Sequence, residues 1–186
     1  MAYAFDPSVL HDCARKGVGL PVEDAFDTIT RALRDAYPTH VVDRPRDWIF
    51  NNAGGAMGQI TLLHASITEY LLFFGTPVGT EGHSGRYRTE VWDYVFDGEM
   101  WVYHEGETGR TVFEPGSAAY LGKDKVKGYR VTDHAWMLEY ARGPIATMLP
   151  FGLADSALST LDHTAIRRTV WTYTKMVMGS LSRGKI

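Results

Sequence analysis

The stretch from about residue 51 to residue 142 is divided by glycines into short runs of β-branched and aromatic residues, and this pattern constrains the fold most. Regularly spaced short runs of this kind are typical of the strands of a small barrel or sandwich. The dividing glycines in the first part are Gly54, Gly55, Gly58, Gly75, Gly79, Gly82 and Gly85. Later in the stretch, strands are predicted around 111–113, 118–121, 127–131 and 135–142. The sequence therefore predicts a mainly β fold.

The dipeptide Asp97-Gly98 lies between two β-rich runs, 92–96 and 99–103. An Asp-Gly pair in this position is typical of a two-residue type I′ turn, because that turn needs positive φ angles at both central residues. The pattern therefore predicts an antiparallel β-hairpin that turns at Asp97-Gly98.

A helix is predicted on the N-terminal side of this stretch. Between residues 22 and 37 apolar side chains recur every three or four positions, and Pro38 ends the pattern. A shorter helix is predicted over 7–16, where Asp6 is a plausible N-cap. The chain therefore begins with two helices.

A second helical region follows Gly143-Pro144, where the pattern predicts helices over 145–161 and 164–178. The first is apolar on almost every side, and the second mixes aromatic and basic residues. Two interpretations stay open for this pair. The helices pack over the barrel or into a subunit interface, or they form a platform on a membrane surface.

The length of 186 residues favours a single domain. Within it, residues 1–40 are assigned to the N-terminal helices, 48–143 to the barrel and 144–180 to the C-terminal helix pair. We therefore look for one functional site.

Charge and cysteine content exclude several classes of protein. With 19 Lys and Arg against 22 Asp and Glu, the chain lacks the charge of a nucleic-acid-binding protein. Cys13 is the only cysteine, which excludes an intrachain disulfide and a Cys-rich zinc site and suits a reducing cytoplasm. No run reaches the roughly 18–20 apolar residues of a membrane span, and the first ten residues do not resemble a signal peptide. We expect a cytoplasmic protein, either free or peripheral at a membrane surface.

Two carboxylates lie within strongly apolar, strand-like segments: Asp93 in 91–95 and Glu139 in 136–140. A carboxylate buried in such surroundings costs several kcal/mol unless it is paired or protonated, and two that share a site have pKa values pushed apart. Strand alternation leaves two interpretations open for Asp93. It points to solvent, or it forms an acid–base dyad with Glu139.

The histidines do not form a metal-binding pattern. His64, His83, His104 and His134 each lie alone in separate segments, without the close spacing of typical zinc motifs. We therefore expect neither a metal nor an organic cofactor.

Several motifs in register carry a resemblance to a known family. They are Asn52-Ala53-Gly54-Gly55, Leu62-Leu63-His64-Ala65-Ser66, Glu69-Tyr70, Phe74-Gly75-Thr76, Gly82-His83-Ser84-Gly85-Arg86-Tyr87, Trp136-Met137, Glu139-Tyr140 and Arg142-Gly143. Together, from about residue 20 to residue 175, the chain resembles the family of the fungal sterol Δ8-Δ7 isomerase and the sigma non-opioid receptor.

The resemblance implies a cupin-like β-barrel capped by the C-terminal helices, an occluded apolar cavity and a homotrimer. It also implies that Asp93 and Glu139 meet inside the barrel and that Tyr70 and Tyr87 lie near the ligand. Eukaryotic members begin with a membrane-spanning helix, and this chain begins where that helix would end. The segment 120–129, where the family lines its cavity, is charged here and differs from the family pattern.

The expected function is that of an isomerase that shifts a ring double bond in a sterol-like or other polycyclic isoprenoid. In this hypothesis one carboxyl group protonates the alkene and the other, a carboxylate, stabilises the carbocation. We assign the resting proton to Asp93 and the charge to Glu139. The expected substrate-binding residues are Tyr70, Phe74, Tyr87, Trp101, Tyr120, Trp136 and Met57.

Two alternatives use the same carboxylates. One is a terpenoid cyclase, in which protonation starts ring closure. The other is a receptor without catalytic activity that binds cationic amphiphiles. The expected partners are a hydrophobic small molecule or a cationic amphiphile, further copies of the chain, and a membrane surface contacted through residues 145–178, but no nucleic acid.

Overall fold

The structure is a computed structural model that describes residues 3–42, 44–182 and 184. Two helices come first, α1 (Pro7–Arg15) and α2 (Val22–Ala36). Eight strands follow: β1 (Ile49–Ala53), β2 (Ala56–Ala65), β3 (Glu69–Thr76), β4 (Thr80–His83), β5 (Glu90–Tyr103), β6 (Thr111–Phe113), β7 (Ala118–Leu121) and β8 (Gly128–Arg142). A 3₁₀ turn (Ile145–Thr147), α3 (Leu149–Leu158) and α4 (His163–Ser182) complete the described fold. The predicted class, mainly β with helices at both ends, is confirmed.

Helices α1, α2 and α4 begin within one residue of the predicted positions, whereas α3 begins at Leu149 and not at residue 145. The side chain of Asp6 accepts hydrogen bonds from the backbone N–H groups of Ser8 and Val9, so it caps α1. The pair of C-terminal helices is also present, with one turn of 3₁₀ helix in front of it. No helix in the described ranges is both long enough and apolar enough to cross a membrane.

The strands form one antiparallel sheet around two long central strands, β5 and β8, which pair along almost their whole length. On the other side of β8 lie β3 and β4, followed by β2 and β1, while β6 and β7 pair with the free edge of β5. Residues from β1, β2, β3, β5, β7 and β8 line a common cavity, so the sheet curls around it. Among the described strands, hydrogen bonds do not join the two ends of this curved sheet into a ring.

The predicted hairpin at Asp97-Gly98 is wrong, because both residues lie inside the continuous strand β5. The pairing of β5 with β8 shifts register between Val95 and Asp97 and again between Gly98 and Met100. Gly98 has a φ of 70°, and a Cβ there would lie 2.0 Å from the carbonyl oxygen of His134. Gly98 of the Asp-Gly pair supplies the positive φ of a β-bulge in a bent strand. A type I′ turn also requires positive φ, so the same dipeptide fits both structures. The strands predicted over 127–131 and 135–142 are likewise one strand, β8.

The two faces of the sheet bury different layers. The outer face packs against α1 and α2 through an aromatic cluster that includes Phe26, Phe73, Phe96 and Trp136. The inner face encloses the cavity, which α3 and α4 cover from the other side. Strand alternation therefore decides whether a side chain reaches the N-terminal helices or the cavity.

Candidate active site

The cavity between the inner face of the sheet and the C-terminal helices has a volume of about 200 Å³. Most of its lining is apolar and comes from both the strands and α3. Typical lining side chains are Leu62, Leu72, Phe74, Val91, Met137 and Phe151. A water-poor enclosure of this kind strengthens electrostatic interactions between the few polar groups inside it.

Two carboxyl groups face each other within this apolar lining. Asp93 on β5 and Glu139 on β8 are directly paired in the antiparallel register, and both line the cavity. Directly opposed residues in such a pair have Cβ atoms about 4.5–5.5 Å apart on the same face of the sheet. The alternative that Asp93 points to solvent is excluded, because only 5% of the residue is exposed.

Glu139 accepts a hydrogen bond of 2.5 Å at Oε1 from the hydroxyl group of Tyr70 on β3. Burial, with the negative charge of Asp93 as a second cause, raises the pKa of Glu139 to about 7. The hydrogen bond from Tyr70 and the positive charge of Lys127 act in the opposite direction. A carboxyl group with a pKa near neutral pH is suited to giving and taking a proton there.

A third charged group lies in the cavity, because Nζ of Lys127 donates a hydrogen bond to Oδ2 of Asp93. Both side chains are almost completely buried, with 5% of Lys127 and 6% of Asp93 exposed. The sequence marked the segment 120–129 as unusually charged but did not place Lys127 beside Asp93. Lys127 precedes the cavity residue Tyr129 by two positions, and in an extended chain such residues share a face.

Three tyrosines stand near Glu139: Tyr70, Tyr87 and Tyr129. Burial and the charge of Glu139 raise the pKa of each phenol well above its ordinary value. They remain neutral at physiological pH and act as hydrogen-bond donors or as apolar walls. The hydroxyl group of Tyr87 donates to the carbonyl oxygen of Ser84, which fixes its ring against Phe151 of α3.

The structure brings together five of the nine predicted site residues. Tyr70, Phe74, Tyr87, Asp93 and Glu139 all line the cavity. The other four predicted ligand contacts lie elsewhere, and this corrects the sequence-based placement of Trp101, Tyr120, Trp136 and Met57.

Alternation explains the two misplaced tryptophans. Trp101 lies on β5 between the buried Met100 and Val102, with Arg110 stacked over its ring at 3.5 Å. Trp136 precedes the cavity residue Met137 and therefore points outward, where it packs against Phe26 and Trp48. An aromatic residue in a strand indicates burial or packing, but its own identity does not reveal the face.

The remaining two are exposed at the surface. Tyr120 is 51% exposed, and its hydroxyl group donates to Glu90. Met57 is 45% exposed on β2, between buried neighbours. In the part of the chain that the structure describes, no group of three or more His, Cys, Asp or Glu residues is placed to hold a metal ion.

Comparison with known proteins gives a family match along nearly the whole chain. Residues 1–185 match the family described as "ERG2 and Sigma1 receptor like protein". A C-8 sterol isomerase of Mycosarcoma maydis is 46% identical over 98% of this chain and 80% of its own length. The sigma non-opioid intracellular receptor 1 of Gallus gallus is 40% identical over 93% of this chain and 78% of its own length.

The protein erg2 homolog of Dictyostelium discoideum is 43% identical over 84% of this chain and 67% of its own length. Among solved structures, KdgF from Halomonas sp. covers 56% of this chain and 92% of its own, at 18% identity and a TM-score of 0.46. An RmlC-like cupin from Shewanella frigidimarina covers the same 56%, and 89% of its own chain, at 17% identity and a TM-score of 0.46.

Proposed function

The chain belongs to the family of ERG2 and Sigma1 receptor like proteins, and from that premise we propose that it is an isomerase. It shifts a ring double bond in a sterol-like or other polycyclic isoprenoid. The observation that carries this proposal is the pair Asp93 and Glu139, directly opposed on neighbouring strands inside an apolar cavity. Relatives named C-8 sterol isomerase, at 38–46% identity over nearly all of the chain, support the reaction class.

The proposed reaction needs only proton transfer. A protonated carboxyl group gives its proton to one alkene carbon, which leaves a tertiary carbocation on the other. A carboxylate beside the cation stabilises its charge in the low-dielectric cavity. Loss of a proton from a carbon next to the cation forms the shifted double bond. One proton enters and one leaves, so the product is an isomer and no co-reactant is consumed.

The size of the cavity implies that helix α3 moves when a ligand binds. Its volume of about 200 Å³ is below the roughly 300–1,000 Å³ of typical small-molecule sites. Phe151 of α3 lines the cavity, and Asp155 of the same helix accepts a hydrogen bond of 2.8 Å from the backbone N–H of Gly55. We expect a polycyclic substrate to displace α3 outward and to break this hydrogen bond to the β1–β2 turn.

A second candidate function is a receptor for cationic amphiphiles. The similarity to the sigma non-opioid intracellular receptor 1 favours it, as does an ionisable carboxyl group inside an apolar cavity. An ammonium group next to Glu139 would replace the positive charge of the proposed carbocation. A receptor would use the same site as the isomerase, but it would bind its ligand without making or breaking a bond.

Two further expectations accompany the proposal. Contact with a membrane surface is supported by apolar side chains that are more than half exposed on and before α4, namely Leu158, Leu161, Trp171 and Met178. Lys175 lies 4.6 Å from the ring of Trp171, which is a suitable pair for the boundary between headgroups and acyl chains. The homotrimer implied by the family resemblance remains a prediction, which light scattering of the purified protein checks.

Incubation with a panel of isoprenoid ring alkenes in deuterated water tests the proposal. Mass spectrometry detects deuterium in the recovered compound, and NMR locates both the deuterium and the double bond. A deuterated product with a moved double bond supports the isomerase, and a deuterated product with a new ring supports a cyclase. Binding without deuterium across the whole panel supports the receptor. Glu114→Gln, at an exposed glutamate, is the matched control for changes in the cavity.

A further inference from the structure

The cavity holds a buried ammonium group in addition to its two carboxyl groups. Lys127 contacts Asp93 directly, and both side chains are almost completely removed from solvent. Breaking a buried ion pair is costly, because it leaves an uncompensated charge in a low dielectric. The pair therefore persists as a unit, and Glu139 lies on the opposite strand as the remaining ionisable carboxyl group.

We propose that Lys127 is a positioning residue that holds Asp93 as a carboxylate, so that the transferable proton of the cavity sits on Glu139. The inference rests on the proposed isomerase for its catalytic meaning but not for its structural content. It reverses the sequence-based assignment, in which Asp93 carried the proton and Glu139 the charge.

The charges in the cavity decide which carboxyl group keeps a proton. Two carboxylates that face each other in an apolar cavity cannot both be ionised without a large cost, so one of them keeps a proton. The ammonium group of Lys127 donates to Asp93, whereas the neutral hydroxyl group of Tyr70 donates to Glu139. A carboxylate beside a cation is the better place for the charge, and the carboxyl group beside a phenol is the better place for the proton.

The other groups around Glu139 leave this distribution unchanged. Tyr70 on β3, Tyr87 in the loop after β4, Tyr129 on β8 and Tyr173 on α4 all line the cavity. Burial raises the pKa of each of these phenols, so none of them carries charge near pH 7. His83 on β4 also lines the cavity but is solvent-exposed, and its Nδ1 accepts a hydrogen bond from the backbone of Gly85. With Asp93 and Lys127 compensating each other, the resting cavity is neutral when Glu139 is protonated.

The pKa of Glu139, raised to about 7 by burial and by Asp93, agrees with this distribution. Removal of Lys127 takes away a positive charge that lowers the pKa of Glu139. The variant Lys127→Met therefore raises the pKa of Glu139, and its carboxyl group loses the proton at higher pH.

Infrared spectroscopy tests the position of the proton without any substrate. A protonated carboxyl group has a carbonyl band distinct from that of a carboxylate. Ordinary Asp and Glu side chains are ionised at both about pH 6 and about pH 8, so the difference between spectra recorded at these two values shows only carboxyl groups with a raised pKa. The wild-type protein is expected to show such a band. Glu139→Gln is expected to lose it, because Asp93 remains ionised next to Lys127. The double variant Glu139→Gln with Lys127→Met is expected to regain a band, now from Asp93.

The matched control is Glu139→Gln with Lys125→Met, because Lys125 is exposed two positions away and its loss should leave the band absent. A band that persists in Glu139→Gln alone would put the proton on Asp93 and overturn the inference. Persistence of the band in that single variant would overturn the inference even if the double variant does not fold, which thermal melting establishes.

The pH dependence of the activity gives a second test. It would not change if Lys127 had only a structural role. In the deuterium-incorporation assay, activity should fall with rising pH as Glu139 loses its proton. In Lys127→Met this fall should occur at a higher pH than in the wild type, and in Lys127→Arg it should return to the wild-type pH. An unshifted limb in a folded Lys127→Met protein would also contradict the inference. If the infrared spectra show the expected pattern but no substrate is converted, the isomerase proposal is contradicted and the position of the proton is still established.

Discussion

The same dipeptide, Glu-Tyr, occurs on the neighbouring strands β3 and β8 and builds two different sites. Glu69-Tyr70 lies on β3 and Glu139-Tyr140 on β8, and the two strands pair antiparallel. On the outer face the hydroxyl group of Tyr140 donates to Glu69 at 2.8 Å, and on the inner face that of Tyr70 donates to Glu139 at 2.5 Å. Alternation thus divides two identical pairs between the two faces of one sheet.

The surroundings of the two glutamates decide what each can do. Glu69 is fully buried and also accepts hydrogen bonds from the backbone N–H groups of Ala4 and Phe5, at 2.7 and 3.3 Å. These donors fit a carboxylate and attach the N-terminal segment to the sheet. Glu139 instead faces Asp93 across a cavity, and its pKa is raised to about 7. Glu69 therefore accepts hydrogen bonds from backbone N–H groups that fix the N-terminal segment, whereas Glu139 faces a second carboxyl group, which raises its pKa.

The largest expected effect is the loss of activity in Glu139→Gln, because an amide cannot transfer the proton. General acid catalysis contributes about 10²–10⁴-fold, so deuterium incorporation should fall by at least that factor. Stability should not fall. The raised pKa of Glu139 means that its contribution to stability decreases as the pH rises from its ordinary value of 4.5 towards about 7. The amide removes this dependence, and thermal melting across that pH range measures it. Wild-type turnover in this variant would end the assignment.

The next expected effect concerns hydrophobic amines that are protonated at neutral pH. An ammonium group next to ionised Glu139 forms a buried charge pair, so an uncharged ether of the same shape should bind more weakly by about 2–5 kcal/mol. Since Glu139 titrates near pH 7, affinity for the amine should rise as the pH increases through that value, while affinity for the ether stays constant. Calorimetry at several pH values measures both. Equal affinities at all of them would mean that the cavity binds by apolar contact alone.

A smaller effect is expected for Glu69→Gln. This variant should lose stability and keep activity, whereas Glu139→Gln should lose activity and keep stability. The amide keeps the shape but replaces one acceptor oxygen by a donor NH₂ group that faces donors from Ala4, Phe5 and Tyr140. Leaving a buried donor unsatisfied costs about 1–3 kcal/mol, which denaturant unfolding measures. Activity per folded molecule should be retained. A folded Glu69→Gln protein of normal stability but no activity would contradict the division between the two faces.

The sequence predicts which side chains share a face only over a few neighbouring residues, because strand alternation is a local pattern. Alternation within 91–95 separated Asp93 from its neighbours Trp92 and Tyr94 but left open whether Asp93 faces solvent, because a local pattern does not show which face is buried. The expectation that Asp93 meets Glu139 came from the family resemblance. The expectation for Trp101 failed because two register shifts between β5 and β8 interrupt the alternation between Asp93 and Trp101. The Asp97-Gly98 hairpin failed for a related reason, since a bulge and a turn both require a residue with positive φ.

The position of Lys127 shows the other limit. Its ion pair with Asp93 joins residues 34 positions apart, so it depends on the tertiary fold and not on a local sequence pattern. Composition identified the segment as charged, and charged segments are usually solvated surface. Only the curled sheet turns this lysine into the cavity, so the cation in the site is a property of the tertiary structure and not of any local pattern.

The smallest expected effects come from removing one hydroxyl group on each face, in Tyr70→Phe and Tyr140→Phe. Both changes remove a hydrogen bond to a glutamate, which typically contributes about 1 kcal/mol. On the inner face, the bond from Tyr70 lowers the pKa of Glu139, so Tyr70→Phe should raise that pKa and shift the high-pH limb of the activity profile upward. On the outer face, Tyr140→Phe should lower the free energy of unfolding and leave the pH profile in place, because Glu69 takes no part in proton transfer. The two variants differ by one oxygen atom each from the wild type, so the pH–rate profile and denaturant unfolding, measured side by side, separate the faces directly. A shifted profile in Tyr140→Phe, or an unshifted one in a folded Tyr70→Phe protein, would show that the two glutamates are not divided between structure and proton transfer.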